Sequence, residues 1–185
     1  MGWGWFWAAL ALLVLPLDWV AAALAAAAVH ELGHCLAVWA LGGKTDALTF
    51  HFGGAIIQAW GLGVPGAIAA TLAGPLLGLL PVLFFRVIPR TAVCALAQSL
   101  YNLLPICPLD GGRALKLLLN CCCPDRAERV LFLTERTTLL LLVCLGVAGL
   151  LWFSWGILPL LTVFPVLKEK FLANRETTRY NMADH

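Results

Sequence analysis

Residues 19–41 read WVAAALAAAAVHELGHCLAVWAL, and the only histidines or charged side chains among these positions are His30, Glu31 and His34. A helix of about 20 apolar residues crosses a bilayer core, so the stretch is long enough to span, with its polar groups set well inside it. A charged side chain near the middle of a span costs about 2.5–3.5 kcal/mol on insertion scales, which makes such groups functional by default. At 100° per residue His34 lies about 40° round from His30 and one turn further on, while Glu31 stands about 60° from His34. The His-Glu-x-x-His spacing thus gives two imidazoles that can reach one ion, with a carboxylate at the edge of the same face to serve as a base.

The composition places this helix among others like it. Of 185 residues, 62% are apolar and 12% charged, with a mean hydropathy of +0.90. Soluble domains carry roughly 25% charge and under half apolar residues. At about 20 residues per span there is room for roughly six spans joined by short loops, and for no separate soluble domain. The net charge of +2 is small and scattered, and no arginine-rich or aromatic-interleaved stretch would follow a phosphate backbone, so nucleic acid is excluded as a partner. Seven cysteines, an odd number spread through apolar segments, fit no disulfide framework. Met1 to Leu17 lacks the basic region of a secretory signal and reads as a retained, short first helix.

Polar and glycine breaks divide the chain into helices near 3–17, 19–41, 64–86, 91–119, 130–148 and 151–167. The expected fold is an all-α polytopic membrane protein of about six transmembrane helices, with residues 1–167 as one intramembrane domain and 168–185 as a short polar tail. Between the second and third helices, TDALTFHFGGAIIQAW (45–60) sets β-branched and aromatic residues either side of Gly53-Gly54, the pattern of a small hairpin. In so apolar a chain this hairpin is expected to dip into the membrane, covered by protein. Six spans put both termini on one side, and Lys168, Lys170, Arg175 and Arg179 in the tail mark that side as cytoplasmic. Lys44, Arg113, Lys116, Arg126 and Arg129 fall on the same side; Arg86 and Arg90 fall on the other, against the rule.

A catalytic zinc site takes three protein ligands and keeps one position open for water, so a third ligand has to come from elsewhere. The segment NLLPICPLDGGR (102–113) offers it: two prolines that remove backbone donors, a glycine pair that permits close approach, and Asp110 inside an apolar run. The carboxylate can be a metal ligand, a proton relay or a cap for the helix beginning near Gly111. Cys107 is a rival ligand, although buried cysteines are mostly small hydrophobes.

HELGH in an early helix together with NLLPICPLDGG in a later one resembles the site-2 protease family of intramembrane zinc metalloproteases, most closely its compact six-helix branch. That branch includes the bacterial sporulation protease acting on a sigma-factor precursor. The resemblance implies a zinc metalloendopeptidase holding one Zn2+ per chain on His30, His34 and Asp110, with Glu31 activating the water. It implies that Asn102 and the stretch from Pro105 to Pro108 line the cleft beside the substrate, and that the Gly53-Gly54 hairpin holds the substrate strand. Ala73-Gly74-Pro75 resembles a further family segment, with Gly78 standing where asparagine or serine is common. The implied partners are the lipid bilayer, a transmembrane or membrane-associated protein substrate and a regulatory membrane partner of unknown identity; the implied location is a bacterial cytoplasmic membrane.

Other features carry less. His51 beside the hairpin turn can bind metal or simply be solvated, Cys121-Cys122-Cys123 suits lipid-facing packing, and Trp3, Trp5, Trp7, Trp19, Trp152 and Trp155 suit interfacial belts. Two rival functions stand beside the protease. A membrane metal transporter would also put histidines and carboxylates in spans, but strung along a path; a catalytically silent zinc-binding regulator would have no use for Glu31.

Overall fold

The computed structural model describes residues 16–51 and 54–153. Within them the chain runs α1 (Leu17–Ala40), β1 (Lys44–His51), β2 (Gly54–Trp60), α2 (Val64–Gly78), a 3-10 turn (Leu80–Phe84), α3 (Pro89–Asn102), α4 (Asp110–Cys122) and α5 (Pro124–Phe153). Two compact units divide it, Met1–Leu131 and Phe132–His185, with α5 passing from the first into the second.

Three helical stretches among the described residues are long and apolar enough to cross a membrane: Leu17–Ala40, Val64–Phe84 and Pro124–Ala148. The helix expected at 3–17, most of that at 151–167, the tail 168–185, Gly53, and Trp3, Trp5, Trp7 and Trp155 lie outside the described residues.

In the first unit small residues make the interior. The buried positions of α1 are Ala22, Ala26, His30, Gly33, His34 and Val38, a stripe repeating every three to four residues. Those of α2 are Ala70, Gly74, Pro75 and Gly78, and those of α3 are Ala92, Ala95 and Ser99. The leucines point outward instead, with Leu24 67% and Leu32 52% exposed on α1. This is the reverse of a water-soluble core. In lipid, bulky apolar side chains gain nothing by turning inward, whereas small residues let backbones approach and gain dispersion contacts. Helix α1 lies against α2 and α3, and α2 against α4. Gly33 fixes the α1 and α2 approach: a Cβ there would stand 3.0 Å from the Gly74 Cα.

Two helices differ from expectation. The single helix expected over 91–119 is two, α3 and α4, separated by the irregular residues 103–109. Pro105 and Pro108 lack amide donors and drive Leu104 and Cys107 away from helical dihedrals, so the helical ladder cannot run through. Neither α3, at 14 residues, nor α4, at 13, reaches spanning length alone. The helix expected over 130–148 begins earlier and ends later, running from Pro124, a residue suited to a helix's first position, through Gly149 to Phe153.

Strands β1 and β2 pair antiparallel, from Lys44 opposite Trp60 to His51 opposite Gly54, with an irregularity between Thr45 and Leu48. Both adjoin α1. At the start of α1, Asp18 Oδ2 lies 3.0 Å from Arg90 Nη1 at the start of α3, so the basic group that broke the charge rule shares an end of the bundle with an acidic one.

Candidate metal centre

His30 and His34 stand one turn apart on the buried stripe of α1, which turns both rings toward α2 and toward Asp110 at the start of α4. Room for the His34 ring comes from Gly74 on α2, where a Cβ would fall on the imidazole itself. The ring is also oriented: its Nδ1 donates a hydrogen bond to the Ala70 carbonyl oxygen at 2.9 Å. A carbonyl can only accept, so the proton of a neutral His34 sits on Nδ1 and its Nε2 lone pair faces the other way.

Asp110 arrives from the broken segment. Ile106, fully buried, anchors the irregular turn, and the Ile106 and Leu109 amides are tied to the carbonyls of Leu104 and Ile106, each at 2.8 Å. The glycine pair then slides beneath this turn, Gly111 against the Leu103 and Leu104 carbonyls and Gly112 against the Ile106 to Cys107 peptide. Helix α4 therefore starts at Asp110 itself. The carboxylate is buried against the histidines.

Three donor atoms meet there. His30 Nε2 lies 3.1 Å and His34 Nε2 3.3 Å from Asp110 Oδ2, and the two Nε2 atoms are 3.2 Å apart. A tetrahedral zinc with bonds of about 2.0–2.1 Å sets neighbouring donors about 3.3 Å apart, so the triangle has the dimensions of one face of such a site. The charge pattern agrees. Two lone-pair donors and a carboxylate oxygen this close repel one another unless a cation or a shared proton lies among them. The three residues form a group that can hold a metal ion.

The structure thus brings together His30, His34 and Asp110, with Glu31 half-buried next to His30 in sequence. Asn102, half-buried, ends α3; Pro105 is half-buried in the irregular turn and Pro108 exposed at its end; Gly54 opens β2. None of these four belongs to the three-residue group. Cys107, the rival ligand, is not part of it either.

A cavity of about 370 Å3 reaches His34, walled by Val38, Leu62, Ala67, Ala70 and Thr71 on one side and by Arg113, Lys116, Leu117 and Asn120 of α4 on the other. Its two walls differ in character, apolar against cationic and amide. Sequence reading missed the Ala70 carbonyl, which only the packing of α1 on α2 makes a partner, and Ser99, a polar residue of α3 buried completely. The regular spacing of Ala92, Ala95 and Ser99 was the available signal.

No protein-family model matches the chain. A stretch of 108 aligned residues is 35% identical to a Synechocystis sp. protein named "Putative zinc metalloprotease sll0528". The match covers 50% of this chain and 28% of that relative's length. What fold and site define is a helical chain with apolar helices fit to span a membrane and a buried His2Asp group fit for a metal.

Proposed function

We propose that the chain is a zinc-dependent intramembrane endopeptidase of the site-2 type, cutting transmembrane or membrane-associated proteins near the cytoplasmic face of a bacterial membrane. The observation that carries this reading is the triangle of His30, His34 and Asp110, whose edges of 3.1–3.3 Å suit a tetrahedral ion and whose histidines flank a glutamate. The name of the Synechocystis relative points the same way. In this reading His30, His34 and Asp110 hold one zinc ion, about six helices cross the membrane, and both termini face the cytoplasm.

A peptide bond in a membrane helix is shielded because its carbonyl is already hydrogen-bonded and its neighbours exclude water. His30, His34 and Asp110 would hold the zinc ion, which would supply Lewis acidity and make a water far more acidic than bulk water. Glu31 takes the proton from water and passes it to the departing amine. The Ala70 carbonyl, bonded to His34 Nδ1, holds that imidazole with its Nε2 toward the metal position. The cavity beside His34 admits water and an unwound stretch of substrate. The edge of the β1 and β2 pair, with Gly53 and Gly54 as the residues expected to hold the substrate strand, takes up exposed substrate amides by strand addition, and Asn102, with donor and acceptor, clamps a further backbone group beside Pro105 and Pro108.

The test compares the parent protein with Glu31→Gln, each purified for metal analysis and each co-expressed with single-span reporter substrates. The reading expects about one zinc per chain in both proteins and cleavage by the parent alone, the loss being about 10²–10⁴-fold. Undiminished cleavage by the glutamine variant removes the assigned base. Several metal ions per chain, with metal flux into proteoliposomes, would favour the transporter.

A further inference from the structure

His30 is held differently from His34. Its Nε2 faces Asp110 and His34, but its other ring nitrogen, Nδ1, is buried with no hydrogen-bond partner among the described residues. A side chain with a comparable atom stands on a neighbouring helix. Ser99 of α3 is 0% exposed, and its Oγ has no hydrogen-bond partner among the described residues. The two atoms flank Gly78 of α2: the point that a Cβ at Gly78 would occupy lies 2.7 Å from Ser99 Oγ and 3.4 Å from His30 Nδ1. Two orphaned polar atoms, one able to donate and one able to accept, therefore share a pocket that exists because residue 78 has no side chain.

We propose that Ser99 is the positioning residue of His30, accepting the Nδ1 proton in a hydrogen bond and so directing the Nε2 lone pair toward the metal. The inference rests on the metal reading above. The position of a serine hydroxyl oxygen depends on the single torsion χ1, so Oγ is the part of this pocket that can adjust toward Nδ1. The chemistry is what a histidine ligand requires. When Nε2 binds metal the ring's proton is confined to Nδ1, and an acceptor there fixes the tautomer and the ring plane and raises the basicity of the ligating nitrogen. Ala70 does this for His34 through its backbone; Ser99 does it for His30 through a side chain, which makes it the half of the arrangement that mutation can reach. Four helices then have a share in the site: α1 gives the two histidines, α2 the Ala70 carbonyl and the gap at Gly78, α3 the hydroxyl and α4 Asp110.

The test uses the purified full-length chain in detergent and Zn2+ alone as probe, with affinity read by competition against a chromophoric chelator. Ser99→Ala should weaken zinc binding about 10–100-fold. Ser99→Thr, which keeps the hydroxyl, should bind like the parent, and the metal-free helicity and thermal midpoint should stay unchanged in both. The visible spectrum of the Co2+-loaded protein should shift in Ser99→Ala and not in Ser99→Thr. A double variant, Gly78→Ser with Ser99→Ala, returns a hydroxyl to the pocket from α2 and should recover affinity. Parent-like zinc affinity in Ser99→Ala overturns the assignment. So does an equal loss in the threonine variant, or a loss matched by a fall in metal-free stability that the double variant does not reverse, since either marks a packing effect. If the parent itself binds no stoichiometric zinc, the metal reading fails first and the Ser99 assignment falls with it.

Discussion

Gly74 of α2 lies directly under the imidazole of His34, so close that a Cβ at residue 74 would coincide with the ring. A substitution that adds one methyl group on a different helix should therefore act on the metal ligand. Gly74→Ala is expected to displace His34 and lower zinc affinity about 10–100-fold, the range seen when a ligand's supporting contacts are lost. Metal analysis of the purified variant beside His34→Ala checks this; zinc content equal to the parent's would mean that the ring is not held where α2 leaves room for it.

Removing the ion should loosen the protein itself. The proposed ligands sit on α1 and at the start of α4, elements far apart in sequence, and binding to the folded form alone stabilises by about 2.7 kcal/mol when free zinc is 100-fold above its Kd. The thermal midpoint should fall on chelation and recover on zinc addition, whereas Asp110→Asn should have a midpoint indifferent to zinc. A chelator-insensitive parent midpoint would count against the triad as a site that links these elements.

Gly112→Ala should cost about 1–3 kcal/mol by overpacking, because the new methyl would press on the Ile106 to Cys107 peptide, which is backbone and cannot rotate away. Denaturant titration in detergent gives the number. Zinc affinity should drop in parallel, since the same turn delivers Asp110 to the histidines.

Filling the cavity should separate substrate entry from metal binding. Leu117 lines the space beside His34 from α4, and Leu117→Trp puts an indole into it. Zinc content is expected to stay at the parent value while cleavage of reporter substrates falls about tenfold or more. Unchanged cleavage would mean that substrate approaches by another route.

Reading the chain without coordinates singled out the candidate ligands because their chemistry conflicts with their surroundings. His30, Glu31 and His34 are legible because ionisable side chains in an apolar helix need a reason, and helical spacing alone puts the imidazoles on one face. Asp110 is legible for the same cause, and the prolines around it announce the break. The extent of that break is not legible: no charged residue interrupts 91–109, so the segment reads as one helix where Pro105 and Pro108 make two. The end of the helix expected at 148 was misplaced because Gly149 is tolerated within a helix and nothing local forces a stop.

By itself, then, the sequence determined the apolar character of the chain, the helical register of the two histidines and the identity of the three candidate donors, all of which follow from local periodicity and from the cost of polarity in an apolar run. The packing of α1 on α2 and α3, and of α2 on α4, decided the rest: that the donors stand 3.1–3.3 Å apart, that Ala70 turns His34, and that Gly74 and Gly78 make space for ring and hydroxyl. These are contacts between residues distant in the chain. Their distances depend on how closely backbones approach, which small residues permit but no spacing rule encodes.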